Sequence, residues 1–179
     1  MFTFQNIRLI SIISILVNLQ TIVSSNQNGA RLVLPTGDDP NGTVREQREF
    51  VKQMMRLSWD SYVNYSWGWN ELSPIARKGM PFSILMSQRM GATIVDSLST
   101  LYVMNMTEEF DRGRDWIQNN LDFNSIDEYI SLFQIVIKFV GGLLSAYAFT
   151  KEQVFLEKAK EIADKLMPVF NTPTGLQLI

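Results

Sequence analysis

The segment Ser131-Leu-Phe-Gln-Ile-Val-Ile-Lys-Phe-Val-Gly-Gly-Leu-Leu-Ser-Ala-Tyr147 is apolar on nearly every side, interrupted in its first half only by Gln134 and Lys138. A helix that is apolar all round needs protein around it, so this stretch predicts a helix packed inside a larger helical assembly. Gln134 and Lys138 are one helical turn apart and share a face. Two polar side chains on such a face are either a satisfied hydrogen-bonding pair or the wall of a polar cavity, and periodicity does not choose between them. Gly141 and Gly142 each cost about 1 kcal/mol in a helix interior relative to alanine. Close approach of another helix is the plain reason for them; room for a ligand against the backbone is the other.

The rest of the chain after residue 43 also reads as helices and loops. Val51, Met55, Trp59 and Tyr62 share one face of a helix beginning near Val44, and Ile94, Val95, Leu98, Leu101 and Tyr102 repeat the pattern after Gly91. Thr107 is placed to cap the next helix, with Glu108 and Glu109 in its first turn. Ser125-Ile-Asp-Glu128 reads as a capping box for the helix that carries Gln134. Thr150-Lys-Glu-Gln153 reads as a second box, opening a helix with Phe155, Ile162, Leu166 and Phe170 inward and Pro168 and Pro173 near its end. No segment of useful length alternates as a strand does. Ser66 to Met90 is a long connection with little periodicity, and connections of that length are usually functional or mobile. Met54, Met55, Met86, Met90, Met104 and Met106 read as core filling. Asp111, Asp115, Asp122, Asp127 and Glu128 read as caps and solvated faces.

With 179 residues, 46% of them apolar, the chain has room for one domain with a core. The formal charge of −2 and the lack of any basic run argue against nucleic acid as a partner. No cysteine is present, so stability rests on packing alone. Arg8 precedes an apolar stretch from residue 9 to 23 that ends in the small residues Ser24 and Ser25; residues 1–25 read as a signal peptide or a signal-anchor holding the chain to a membrane. Residues 26–43 read as a flexible stem, and 44–179 as the folded part. Either use of the leader delivers the chain to the secretory lumen. Three acceptor triplets suit that compartment, at Asn41, Asn64 and Asn105, with Asn41 the best placed by sequence.

Phe139-Val-Gly-Gly-Leu-Leu-Ser-Ala-Tyr147 resembles the signature of class I α-1,2-mannosidases, glycoside hydrolase family 47. Trp67-Gly-Trp-Asn-Glu-Leu72, Gly91-Ala-Thr-Ile-Val-Asp96, Asn120-Leu-Asp-Phe-Asn124 and Pro168-Val-Phe-Asn-Thr-Pro-Thr-Gly175 agree in order and spacing. The detail is closer to the Golgi-type enzymes than to the degradation-enhancing relatives. The resemblance implies an all-α fold, helical hairpins forming the first part of an (α/α)7 barrel that is incomplete in this chain. It implies inverting hydrolysis of terminal α-1,2-linked mannose from high-mannose N-glycans, in the endoplasmic reticulum or Golgi, with a Ca2+ ion whose threonine ligand lies outside these residues.

By the same resemblance, Gln134 stands where the family has the glutamate that protonates the leaving oxygen. Lys138 replaces an arginine that holds the sugar, and Glu71 lies in a motif near the sugar cleft. Ser99 replaces an aspartate, Asp96 is kept, and Gly79-Met-Pro-Phe82 replaces a His-Ser-Ser loop. Glutamine has no proton it can transfer, and an inverting glycosidase needs two carboxyl groups. The expectation is therefore a piece of a longer enzyme, inactive as this chain, with faces of its helices left uncovered. The alternatives are a non-catalytic luminal protein that binds mannose or a mannosidase subunit, or a degenerate gene copy.

Overall fold

The computed structural model describes residues 39–80, 89–124 and 131–173. The leader at 1–25, most of the stem, Pro81 and Phe82, Met86, the Ser125–Glu128 capping box and residues 174–179 lie outside the described residues. What is described is all-α, as the helical periodicity predicts: α1 (Gly42–Ser66), α2 (Ala92–Val103), α3 (Thr107–Asn120), α4 (Leu132–Thr150) and α5 (Gln153–Leu166). A single 3-10 turn, Met167–Phe170, follows α5 with Pro168 in it.

α2 is the hub. It packs against α3 on one side and α4 on the other, and α5 closes on α4. The interior is filled by Ile94, Leu98, Phe110, Phe139, Leu143 and Phe155, all fully buried. Aromatic contacts stitch the helices in pairs. Tyr102 of α2 stacks on Phe149 of α4 at 5.1 Å between centroids, and Phe110 of α3 meets Phe155 of α5 edge-on at 5.9 Å. Such pairs add about 0.5–1.5 kcal/mol beyond the area they bury.

α1 stands partly apart. Asn41 caps it, its side chain accepting from the Thr43 N–H, so the helix starts at Gly42 rather than Val44. Only its last turns reach the core, through Trp59, Tyr62 and Ser66. Its middle is tied down by Lys52 donating to the Asn105 carbonyl and by an Arg56–Glu109 ion pair. Val51 is consequently half exposed, not inward, and Met54 is 57% exposed, not core filling. Met90 and Met106 are buried as predicted.

Four other local readings need correction. The connection after α1 does hold strands, Leu72–Ser73 (β1) and Lys78–Gly79 (β2), paired antiparallel with Leu72 opposite Gly79. Two residues per strand are too few to show alternation. Thr107 is the first residue of α3 and Met106 its cap, although Glu108 and Glu109 do fall in the first turn. Thr150 does not open α5. It ends α4, its hydroxyl donating back to the Ala146 carbonyl, and Lys151 at φ +61° breaks the helix. Glu152 is the residue before α5; its side chain makes no cap bond, and its N–H donates to the Thr150 hydroxyl at 3.2 Å. Finally, α4 opens at Leu132 with Ser131 as its cap.

Candidate functional site

Ser131-Leu-Phe-Gln134 is itself a capping-box pattern. The Ser131 hydroxyl accepts from the Gln134 N–H at 3.4 Å, which fixes Gln134 as the third residue of α4. Beyond Ile135 the helix widens into a π turn over Val136–Val140 before resuming as α-helix at Gly141. Such turns are found often at functional sites, and this one carries Lys138.

Gln134 and Lys138 are both half-buried, and the exposed Phe133 (67%) and Ile137 (47%) neighbour them in sequence. Lys138 Nζ donates to Asp96 Oδ2 of α2 at 3.1 Å. Lys138 and Asp96 thus form an ammonium–carboxylate pair between α4 and α2, with the Gln134 amide four residues earlier on α4. An amide offers both donor and acceptor atoms, while lysine offers a point charge and not the planar fork of arginine. Asp96 is the member that sequence spacing could not supply, since it comes from another helix.

Glu71 is exposed, at the foot of β1, and its carbonyl accepts from the Met80 N–H at 3.0 Å to close the hairpin. The hairpin packs on α1, whereas Gln134 and Lys138 belong to a helix packed on α2 and α5. Spacing unites Gln134 and Lys138; Glu71 sits on a separate element. Its neighbour Asn70 has the clearer role. Asn70 is 1% exposed, and its Oδ1 accepts from Met90 N at 3.0 Å and Ala92 N at 3.3 Å. Its carbonyl accepts from the Thr93 hydroxyl and backbone N–H. Gly91, the residue before α2, has no side chain to cap with and sits at φ +61° against the Trp116 ring, where a Cβ would come within 2.4 Å. Asn70 does the capping from the loop, joining the Trp67–Leu72 motif to the Gly91–Asp96 motif.

Asp111, Asp115 and Asp122 serve local pairs and turns, while Asp127 and Glu128 lie outside the described residues. Asp111 and Asp115 pair with Arg114, and Asp122 accepts from the Asn124 N–H at 2.8 Å. No group of three or more His, Cys, Asp or Glu suited to a metal ion is assembled among the described residues. α4 is 19 residues long and apolar enough to cross a membrane by length and composition. It is packed here against α2 and α5.

The sequence profile of Glycosyl hydrolase family 47 matches residues 54–178. The chain is 51% identical over 140 residues to human Mannosyl-oligosaccharide 1,2-alpha-mannosidase IB, covering 78% of the chain and 22% of the relative. It is 48% identical over 146 residues to the mouse protein of the same name, covering 82% of the chain and 23% of the relative. Against Mannosyl-oligosaccharide alpha-1,2-mannosidase IA of Spodoptera frugiperda it is 44% identical over 152 residues, 85% of the chain and 22% of the relative. The chain thus matches less than a quarter of the length of these relatives. With the profile running from the middle of α1 to beyond the last turn after α5, this chain belongs to glycosyl hydrolase family 47.

Proposed function

We propose that these residues form a mannose-binding wall of α-1,2-mannosidase type that has lost its proton donor, acting on or holding high-mannose N-glycans in the lumen of the endoplasmic reticulum or Golgi. The observation that carries this reading is position 134, an amide in the capped first turn of α4, four residues before Lys138, which pairs with Asp96. A leaving glycosidic oxygen needs a proton in the transition state, and general acid catalysis contributes about 10²–10⁴ in rate. The Gln134 amide can hydrogen-bond a sugar hydroxyl but has no proton to give. Lys138 supplies charge to a hydroxyl or ring oxygen, and exposed Phe133 offers an apolar surface to the sugar's CH face. Binding groups are present; the acid is missing.

Residues 1–25 act in this reading as the leader or anchor, 26–43 as a stem and 44–179 as part of a mannosidase catalytic domain. The Ca2+ ion that the family resemblance implies has its threonine ligand outside these residues, and this reading gives no residue here a role in holding it. The test is a high-mannose affinity column and a free-mannose assay on the purified chain. The reading expects retention that mannose competes away, with no mannose released from α-1,2-linked oligosaccharides. Release of mannose by the unaltered chain, or no retention of a folded chain, overturns it.

A second reading rests on the same cap. If position 134 serves only to open α4 through its backbone N–H on the Ser131 hydroxyl, Gln134→Ala keeps that bond and leaves glycan retention unchanged, while Ser131→Ala lowers stability. Under the first reading Gln134→Ala weakens retention.

A further inference from the structure

The three acceptor triplets enter the fold in three different settings. Asn64 lies in the last turns of α1, where residues two apart point to nearly opposite sides of the helix. Asn64 is accordingly exposed while Ser66 is 1% exposed, its Oγ enclosed and without a hydrogen-bond partner among the described residues. Glycan transfer reads the asparagine amide together with the hydroxyl two residues on, which is why acceptor triplets belong to surface loops. Once α1 has formed, no enzyme reaches the Asn64 amide and the Ser66 hydroxyl from one side.

Asn105 is the opposite case. It occupies the turn between α2 and α3 at φ +52°, a conformation asparagine tolerates better than most residues. Its N–H donates to Tyr102 O and the Met106 N–H to Leu101 O, so backbone bonds fix the turn without the Asn105 side chain. Met106 points inward at 1% exposure, and Asn105 and Thr107 flank it, both exposed. Amide and hydroxyl therefore face solvent together. No hydrogen bond occupies the Asn105 side chain among the described residues; Lys52 uses only its carbonyl. Asn41 is also open, with Thr43 exposed beside it. Its cap bond to the Thr43 N–H uses Oδ1, which a glycan on Nδ2 leaves in place.

From this we infer that Asn105 is an N-glycan attachment site, together with Asn41, and that Asn64 stays bare. The inference rests on the luminal location proposed above. In the transfer, Asn105 Nδ2 attacks the anomeric carbon of a polyprenyl-diphosphate-linked oligosaccharide. A C–N bond forms, the bond from that carbon to the diphosphate oxygen breaks, one amide proton passes to a base of the transferase, and the lipid diphosphate leaves.

The experiment expresses the full chain in secretory cells, removes glycans enzymatically in oxygen-labelled water and maps the resulting labelled aspartates by mass. Label is expected at Asn105 and Asn41 and not at Asn64. Asn105→Gln and, separately, Thr107→Ala should each remove one glycan from the intact mass; Thr107→Ala leaves the turn asparagine in place should Asn105→Gln fail to fold. Asn64→Gln should leave the mass pattern unchanged. Label at Asn64, or none at Asn105, overturns the inference. Absence of label from a chain that is protease-protected inside microsomes overturns the inference alone. Absence of label from a chain open to protease outside them overturns the luminal reading as well.

Discussion

A Cβ built on Gly142 would stand 2.9 Å from the Val95 carbonyl oxygen and 3.1 Å from Val95 Cγ1, because α4 and α2 cross there nearly backbone to backbone. On Gly141 the nearest atom is the Val136 carbonyl oxygen of its own helix, at 3.5 Å, an ordinary contact. Of the two glycines only Gly142 is required by close approach. Gly142→Ala should destabilise by about 1–3 kcal/mol through overpacking, although alanine is the better helix former. Gly141→Ala should be neutral or stabilise by up to about 1 kcal/mol. Denaturant midpoints of the two variants check this, and equal effects would contradict it.

Asn70 and Gly91 form a cap made in trans. Asn70→Ala should cost at least about 1–3 kcal/mol, since the Met90 and Ala92 N–H groups lose their acceptor. Asn70→Asp keeps an acceptor near a helix N-terminus and should cost less. The order of the two variants in thermal unfolding is the readout; an alanine variant as stable as the parent would remove the capping role.

Gln134 lies in the first turn of α4, where a negative charge is favoured by the helix dipole. Gln134→Glu should therefore stabilise the fold by about 0.3–1 kcal/mol at low salt, helped by a new Glu–Lys138 pair worth about 0.2–0.5 kcal/mol. The gain should shrink in high salt. A loss of stability at both ionic strengths would show that the position is not a solvated first turn.

The hydrogen bond from Asn124 N–H to Asp122, with the Asn124 amide and nearby Lys158 and Lys165, holds the Asp122 carboxyl below its ordinary pKa. Because the folded-state value is depressed, the stability it contributes is fully present above the unfolded value of about 3.9 and is lost as pH falls through the folded value. An NMR titration of the Asp122 side chain should give a midpoint below that of a model aspartate, returning toward it in Asn124→Ala. A midpoint at or above the model value would remove the contribution.

Much of this was legible in the residues. Ile94, Leu98 and Leu101 sit inward because their spacing follows a helix, and the pairing of Gln134 with Lys138 on one helix follows from the same rule. The start of α4 was not legible, since Ser125-x-x-Glu128 and Ser131-x-x-Gln134 both match a capping box and periodicity does not rank them. Thr150 looked like a cap because its hydroxyl suits one; that hydroxyl does accept from the Glu152 N–H, yet it also donates back to Ala146 and the residue stays in α4. Asp96 and Asn70 act across 42 and 22 residues of chain to Lys138 and Ala92. Contacts of that range are tertiary, and no local pattern carries them.

The most direct measurement places residues 54–178 of this chain into the human relative in exchange for the matching stretch and follows mannose release from α-1,2-linked oligosaccharide. If the amide at position 134 is what separates this chain from a proton donor, the Gln134 chimera should be slower by about 10²–10⁴ than the same chimera carrying Gln134→Glu and Lys138→Arg. Equal rates in the two chimeras would contradict the account.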